Sequence, residues 1–143
     1  MLSVNGSICG QEVIGIYRQV KKMNKESSFR FDEATEILSP RIKSILQKLP
    51  DDVKENTWEI RIRNNMPVML VGSYGKRFSS VNSKMNCLLS GSTLIALDGE
   101  IGDTFNRLCG YSLHSHQSQI RDVYITIKGG HRAGFCGSAV FEN

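Results

Sequence analysis

The stretch from Thr57 to Arg63 places the tightest constraint on how this chain folds. Trp58, Ile60 and Ile62 alternate with Glu59, Arg61 and Arg63. Successive side chains of an extended backbone point to opposite sides, so this pattern encodes a strand with one buried face and one polar face. Asn64-Asn65 follows. Asn tolerates positive φ, which suits a reversal of the chain. Pro67 to Val71 is apolar almost throughout, predicting a second strand covered on both faces. Gly72-Ser73-Tyr74-Gly75 predicts another turn, and Arg77 to Val81 a third strand. Such a sheet needs helices or further strands over its apolar side.

Helical periodicity appears on either side of these strands. Ser39-Pro40 has the form of a helix start, because Ser is a favoured N-cap and Pro at the first helical position loses no hydrogen bond. Ile42, Ile45, Leu46 and Leu49 then fall at i, i+3, i+4 and i+7, and Pro50 ends the helix. From Asp98 onward Ile101, Phe105 and Leu108 share a helical face, with Gly110 as a stop. A short helix is expected from Ser115 to Arg121. Val123, Ile125 and Ile127 then alternate with Tyr124, Thr126 and Lys128, Gly129-Gly130 turns the chain, and His131 to Phe141 completes a hairpin. A two-residue turn would set Ile127 opposite Arg132 and Ile125 opposite Gly134, with Arg132 at the rim of the core face.

Strands and helices are grouped rather than alternating. This predicts one α+β domain, a small mixed or antiparallel sheet with hairpins, packed by two to four helices. Residues 81–99 are rich in Ser, Asn and Gly and show no clear period. Residues 1–28 are expected to be poorly ordered or an extension, leaving 29–143 as the domain. Gly6, Gly10 and Gly15 interrupt that start and Lys21, Lys22 and Lys25 make it polar, although Val13, Ile16, Tyr17 and Val20 have the spacing of a short amphipathic turn.

The 143 residues suffice for one hydrophobic core. A net charge of +4 is compatible with nucleic acid, an anionic membrane or an acidic protein, and selects none of them. Cys9, Cys87, Cys109 and Cys136 are widely spaced and form no C-x-x-C pair, which points to free thiols rather than a metal cluster or disulfide framework. No apolar run approaches the roughly 20 residues of a membrane span, and the first residues lack the basic and apolar regions of a secretory signal. The expected location is the cytoplasm, or the periphery of a membrane at its cytoplasmic face.

Four segments carry a family resemblance: Arg41 to Pro50 (RIKSILQKLP), Trp58 to Pro67 (WEIRIRNNMP), Tyr111 to Ile127 (YSLHSHQSQIRDVYITI) and Gly129 to Val140 (GGHRAGFCGSAV). In order and spacing they resemble the N-terminal region of the stage III sporulation protein AA family, over about residues 39–143. Ile62 stands where that family usually has Leu, Asn64-Asn65-Met66 where it tends to have a Gly-Arg pair before Pro, and Val123 where it has Gly. The family is similar to hexameric secretion ATPases with a C-terminal P-loop domain. The resemblance therefore implies an N-terminal assembly or regulatory domain of a sporulation ATPase that powers a secretion-like channel complex. Its implied partners are its own C-terminal ATPase domain, further copies in a ring, and other stage III sporulation proteins at a membrane. ATP and magnesium are implied for the full-length protein and no cofactor for this chain. Gly72-Ser-Tyr-Gly-Lys76 lacks the spacing and the Ser or Thr of a P-loop, so this chain alone is expected not to hydrolyse ATP.

Within the chain Gly129, Gly130 and His131 are expected to form a structural turn. Arg132 follows as a candidate phosphate or inter-domain contact, since guanidinium pairs bidentately with anions. Arg61 and Arg63 are further candidates for the same role, or members of a solvated strand face. Together with the basic charge they support an alternative, a nucleic-acid-binding module. His114 and His116 form an H-x-H pair with no third ligand in view, so no metal site is expected. Cys136-Gly137-Ser138 matches part of a cysteine-hydrolase signature, but Ala139 and Val140 do not, and no catalytic residue is assigned.

Overall fold

A computed structural model of the chain describes residues 8–17, 26–108 and 124–139. Among the described residues seven strands make one sheet: β1 (Ile8–Tyr17), β2 (Thr57–Arg63), β3 (Met69–Gly72), β4 (Gly75–Ser79), β5 (Met85–Asn86), β6 (Tyr124–Ile127) and β7 (His131–Ala139). Their order across the sheet is β5-β4-β3-β2-β1-β7-β6, and every pairing is antiparallel. Helices α1 (Glu26–Thr35), α2 (Pro40–Leu46) and α3 (Asp51–Glu55) precede β2, and α4 (Glu100–Leu108) follows β5. The domain is α+β, as the grouping of elements predicts. Among the described residues no helix is long and apolar enough to cross a membrane.

The helices bury one face of the sheet. Phe31 and Ala34 of α1, Ile42 and Leu46 of α2, and Ile101, Phe105 and Leu108 of α4 form one cluster with Ile16, Ile60, Ile62, Leu70, Ile125 and Ala133 of the strands. In α2 the expected periodicity holds: Ile42, Leu46 and Leu49 are buried and Ile45 packs against them. Ser39 precedes the helix without capping it. Its hydroxyl donates instead to Glu100 Oε1 at 3.0 Å. Pro50 both ends this segment and opens α3.

Several expectations are corrected. Residues 8–17, read as part of an extension, form β1 between β2 and β7, with Ile16 buried. Strand slots on both sides supply backbone partners that outweigh the weak local preference of a Gly-interrupted segment. α1 carries Phe31 and Ala34 into the core although its sequence shows no regular apolar stripe. In β2 the alternation places Ile60 and Ile62 inside, but Trp58 at the strand start is 41% exposed. In β3 Leu70 is buried while Met69 and Val71 are half-buried, so that strand is covered on one face rather than two. Residues 93–96 run back against the β2–β3 connection and β4, through Val68 N–H to Leu94, Leu94 N–H to Ser79 and Ala96 N–H to Met66, which buries Leu94 and Ala96. Gly72 is required where β3 meets the end of α3. A Cβ there would overlap the Asn56 carbonyl, which accepts from Ser73 N–H at 3.0 Å. The expected helix from Ser115 to Arg121 and the stop at Gly110 lie outside the described residues.

The last hairpin departs from its predicted register by one residue. Lys128–Gly130 form a single 3-10 turn, so Ile127 pairs with His131, Thr126 with Arg132 and Ile125 with Ala133. Adding one residue to a hairpin loop moves every side chain of the following strand to the opposite face. His131 and Ala133 therefore go into the core and Arg132 goes out.

Candidate functional site

The outer side of the sheet collects what the inner side rejects. Glu59, Arg61 and Arg63 alternate with the buried isoleucines of β2. Met69 and Phe78 continue the Arg61 row through β3 and β4, since Arg61 pairs with Met69 and Met69 with Phe78. In the other direction Glu59 is paired with Tyr17 of β1, and Tyr17 with Arg132 of β7. Directly paired positions in an antiparallel sheet share a face, so Arg61, Arg63 and Arg132 lie on one face, on β2 and β7 with β1 between them. Two strand spacings separate those backbones, about 10 Å. The three arginines singled out in the sequence therefore share a face, with Arg132 level with Glu59 and Arg61 and Arg63 two and four residues further along β2, and the shorter hairpin turn inferred from Gly129-Gly130 would have turned Arg132 away.

Their surroundings differ. Arg61 is held by its neighbour Glu59, with Nε donating at 2.9 Å and Nη2 2.7 Å from the same Oε1. Glu59 is buried, at 7% exposure, and its position on the polar side of the alternation gave no sign of this. The Nε of Arg63 is shielded from solvent and has no acceptor. Arg132 is exposed. A cavity of about 160 Å³ opens beside Arg61 and Arg63, walled by Met66, Pro67, Met69, Phe78 and Leu89.

The turn beneath Arg132 is fixed from α1. Gly129 and Gly130 have φ of 85° and 77°, in the left-handed region that side chains resist. A Cβ at Gly129 would also overlap the Glu33 carboxylate. Arg30 Nη2 donates to the Gly129 carbonyl at 3.1 Å, and His131 Nε2 lies 3.5 Å from Glu33 Oε2. Gly129 and Gly130 lie within the turn, whereas His131, grouped with them in the sequence, is the first residue of β7 and is fully buried. Arg30 and Glu33 were not identified from sequence, because contacts 99 residues apart leave no local pattern.

A second cluster ties the two helix starts. Glu100 accepts from Ser39, from both Nε and Nη2 of Arg41 at 3.0 and 2.8 Å, and from Leu97 N–H at 2.7 Å. Burial alone would push its carboxyl up, but Arg41, the Leu97 N–H and Ser39 together hold it below the usual carboxylate range. Lys54 is buried and reaches the Gln47 carbonyl and Asp32, joining α3 to α2 and α1. These pairs sit on the helix side and serve the fold. Among the described residues no three His, Cys, Asp or Glu side chains are grouped to hold a metal. Cys87 is an exposed free thiol. His114 and His116 lie outside the described residues, and Cys136 of β7 pairs with Val13 of β1.

An α+β module with a helix-packed inner face and an arginine-bearing outer face is the frame against which known proteins compare. A family model described as sporulation stage III, protein AA matches residues 28–143, and the chain belongs to that family, which ties it to sporulation. Stage III sporulation protein AA of Bacillus subtilis (strain 168) is 30% identical over 112 residues, covering 78% of this chain and 32% of that protein. The chain thus spans about a third of the length of the curated relative it matches. No solved structure matches it.

Proposed function

We propose that this chain is the N-terminal assembly and regulatory domain of a sporulation ATPase that powers a secretion-like channel complex during spore formation. The observation that carries the proposal is that Arg61, Arg63 and Arg132 all lie on the sheet face that no described helix covers. Family membership supplies the sporulation context. In this reading the arginine face meets the following ATPase domain or the phosphate held there, where ATP and magnesium bind. The other partners are further copies in a ring and other stage III sporulation proteins at a membrane. The protein works in the cytoplasm, at the cytoplasmic face of that membrane.

The alternative, a nucleic-acid-binding module, has less support. Single-strand binders interleave aromatic stacking platforms with cations. Among the described side chains of this face Phe78 is the one aromatic, and Arg61 is already held by Glu59.

The test is Arg132→Ala in the full-length protein and in this chain. The chain should keep its melting temperature, because Arg132 is exposed, while ATP turnover of the full-length protein falls by about tenfold or more, the scale of one lost charged contact to phosphate. Unchanged turnover removes the phosphate or inter-domain role. Submicromolar single-strand binding at physiological salt, weakened by Arg61→Ala and Arg63→Ala, would favour the alternative.

A further inference from the structure

The cavity beside Arg61 and Arg63 has apolar walls from Met66, Met69, Phe78 and Leu89. Its two cations are not equivalent. Glu59 already neutralises Arg61. Arg63 has no such counter-ion among the described residues, and its shielded Nε has no acceptor. Proteins rarely leave a buried donor of a charged group unmatched, because water is lost and nothing replaces it. Arg63 lines the cavity together with Met66, 40% exposed, and Leu89, 61% exposed, with Leu88 next along the chain at 76%.

We propose that this cavity is a docking site for a segment of a partner protein that presents one bulky apolar side chain beside an aspartate or glutamate. The apolar side chain fills the cavity and the carboxylate pairs with Arg63. Size decides against larger ligands: pockets for drug-sized molecules run from about 300 to 1,000 Å³, and about 160 Å³ is too small for a nucleoside with its phosphates. Charge decides the flanking residue, because a carboxylate offers a guanidinium two acceptors in matching geometry. An apolar anchor in a pocket, with a charged pair shielded beside it, is the arrangement that concentrates binding energy in protein interfaces. The site shares Arg63 with the face proposed above but requires neither Arg132 nor an ATPase domain, so peptide binding by this chain tests it separately.

The chain has five methionines, two of which line the cavity. Methyl-labelled Met in the 143-residue chain therefore reports on the site directly, and Met85, which lines a separate groove with Tyr74 and Arg77, is an internal control. The probe is acetyl-Asp-Leu-Asp-amide, compared with acetyl-Lys-Leu-Lys-amide, acetyl-Asp-Ala-Asp-amide and inorganic phosphate. The acidic leucine peptide should shift Met66 and Met69 and leave Met85 in place, and the three comparison ligands should have little effect. Arg63→Gln should weaken the peptide by about tenfold with the remaining methyl spectrum unchanged. Leu89→Ser, at an exposed position, should weaken it without disturbing the fold. Equal responses to the acidic and basic peptides would overturn the proposal, as would undiminished binding in Arg63→Gln or no response to the acidic peptide. An equal effect of phosphate or of the alanine peptide would reduce the cavity to a simple anion site. Shifts of Met66 and Met69 that grow with protein concentration without peptide would make the occupant a second copy of this chain.

Discussion

The two faces of one sheet divide the molecule. On the inner face Ile16, Ile60, Ile62, Leu70, Ile125 and Ala133 lie against three helices at 2% exposure or less. On the outer face the alternate residues of the same strands are Glu59, Arg61, Arg63, Met69, Thr126 and Arg132, and most of them are half-buried or exposed. Backbone pairing is common to both faces, so the difference between them is entirely one of side chains. The inner face is redundant, since many residues contribute to one core. The outer face depends on a few groups in particular positions, and one residue of slippage at the last hairpin would exchange Arg132 for His131 and Ala133.

Substitutions that separate the faces should show this asymmetry. Truncating the core, as in Leu70→Ala or Ile62→Ala, should lower unfolding free energy by about 2–5 kcal/mol, measured by denaturant titration. Loss comparable to a surface change would mean that the inner face is not the core. Gly129→Val tests the hairpin that assigns Arg132 to its face. Positive φ and the clash with Glu33 should together cost about 1–3 kcal/mol, with Glu33→Ala recovering the steric part alone. A neutral Gly129→Val would show that the turn is not built as described.

An effect of the same size is expected at the Glu100 cluster on the inner side. Its folded pKa is held below the ordinary carboxylate value of 4.5, so its contribution is complete above that pH and is lost as pH falls through the folded pKa. Stability should therefore decline on acidification below about pH 4.5. Glu100→Gln should remove that part of the decline and cost about 1–3 kcal/mol at neutral pH. An unchanged acid profile in the variant would assign the decline to other carboxylates. Smallest of all, Arg63→Ala should alter stability by no more than about 0.5 kcal/mol by the same titration, because its guanidinium has no partner to lose among the described residues.

Legibility followed the range of the contacts. β2, the α2 face and the α4 face were readable because Ile60 with Ile62, Ile42 with Leu46, and Ile101 with Phe105 repeat at local periods that match their burial. β1 was not, because Gly10, Gly15 and the polar Gln11-Glu12 mask alternation that is satisfied only by β2 and β7, distant in sequence. α1 was missed for a related reason: it is held by Lys54, Gly129 and the core rather than by its own pattern. Leu94 and Ala96 became core through a backbone path with no regular period. For the site, the arginines could be picked out from the strand alternation and the G-G-H-R string. Their common face could not, because it depends on whether two or three residues close the last hairpin, and Gly-Gly fits either.

The central claim is that the inner face makes the fold and that the outer arginines carry the proposed function. The direct test combines Arg63→Ala and Arg132→Ala in one protein, keeping Arg61 as the counter-ion of the buried Glu59, and measures two quantities: the melting temperature of this chain, and ATP turnover by the full-length protein. The account predicts a melting temperature within about 5 °C of the parent, the scale of 1 kcal/mol for a domain of this size, and turnover reduced at least about tenfold. Loss of the fold, or full turnover in the double variant, would contradict it.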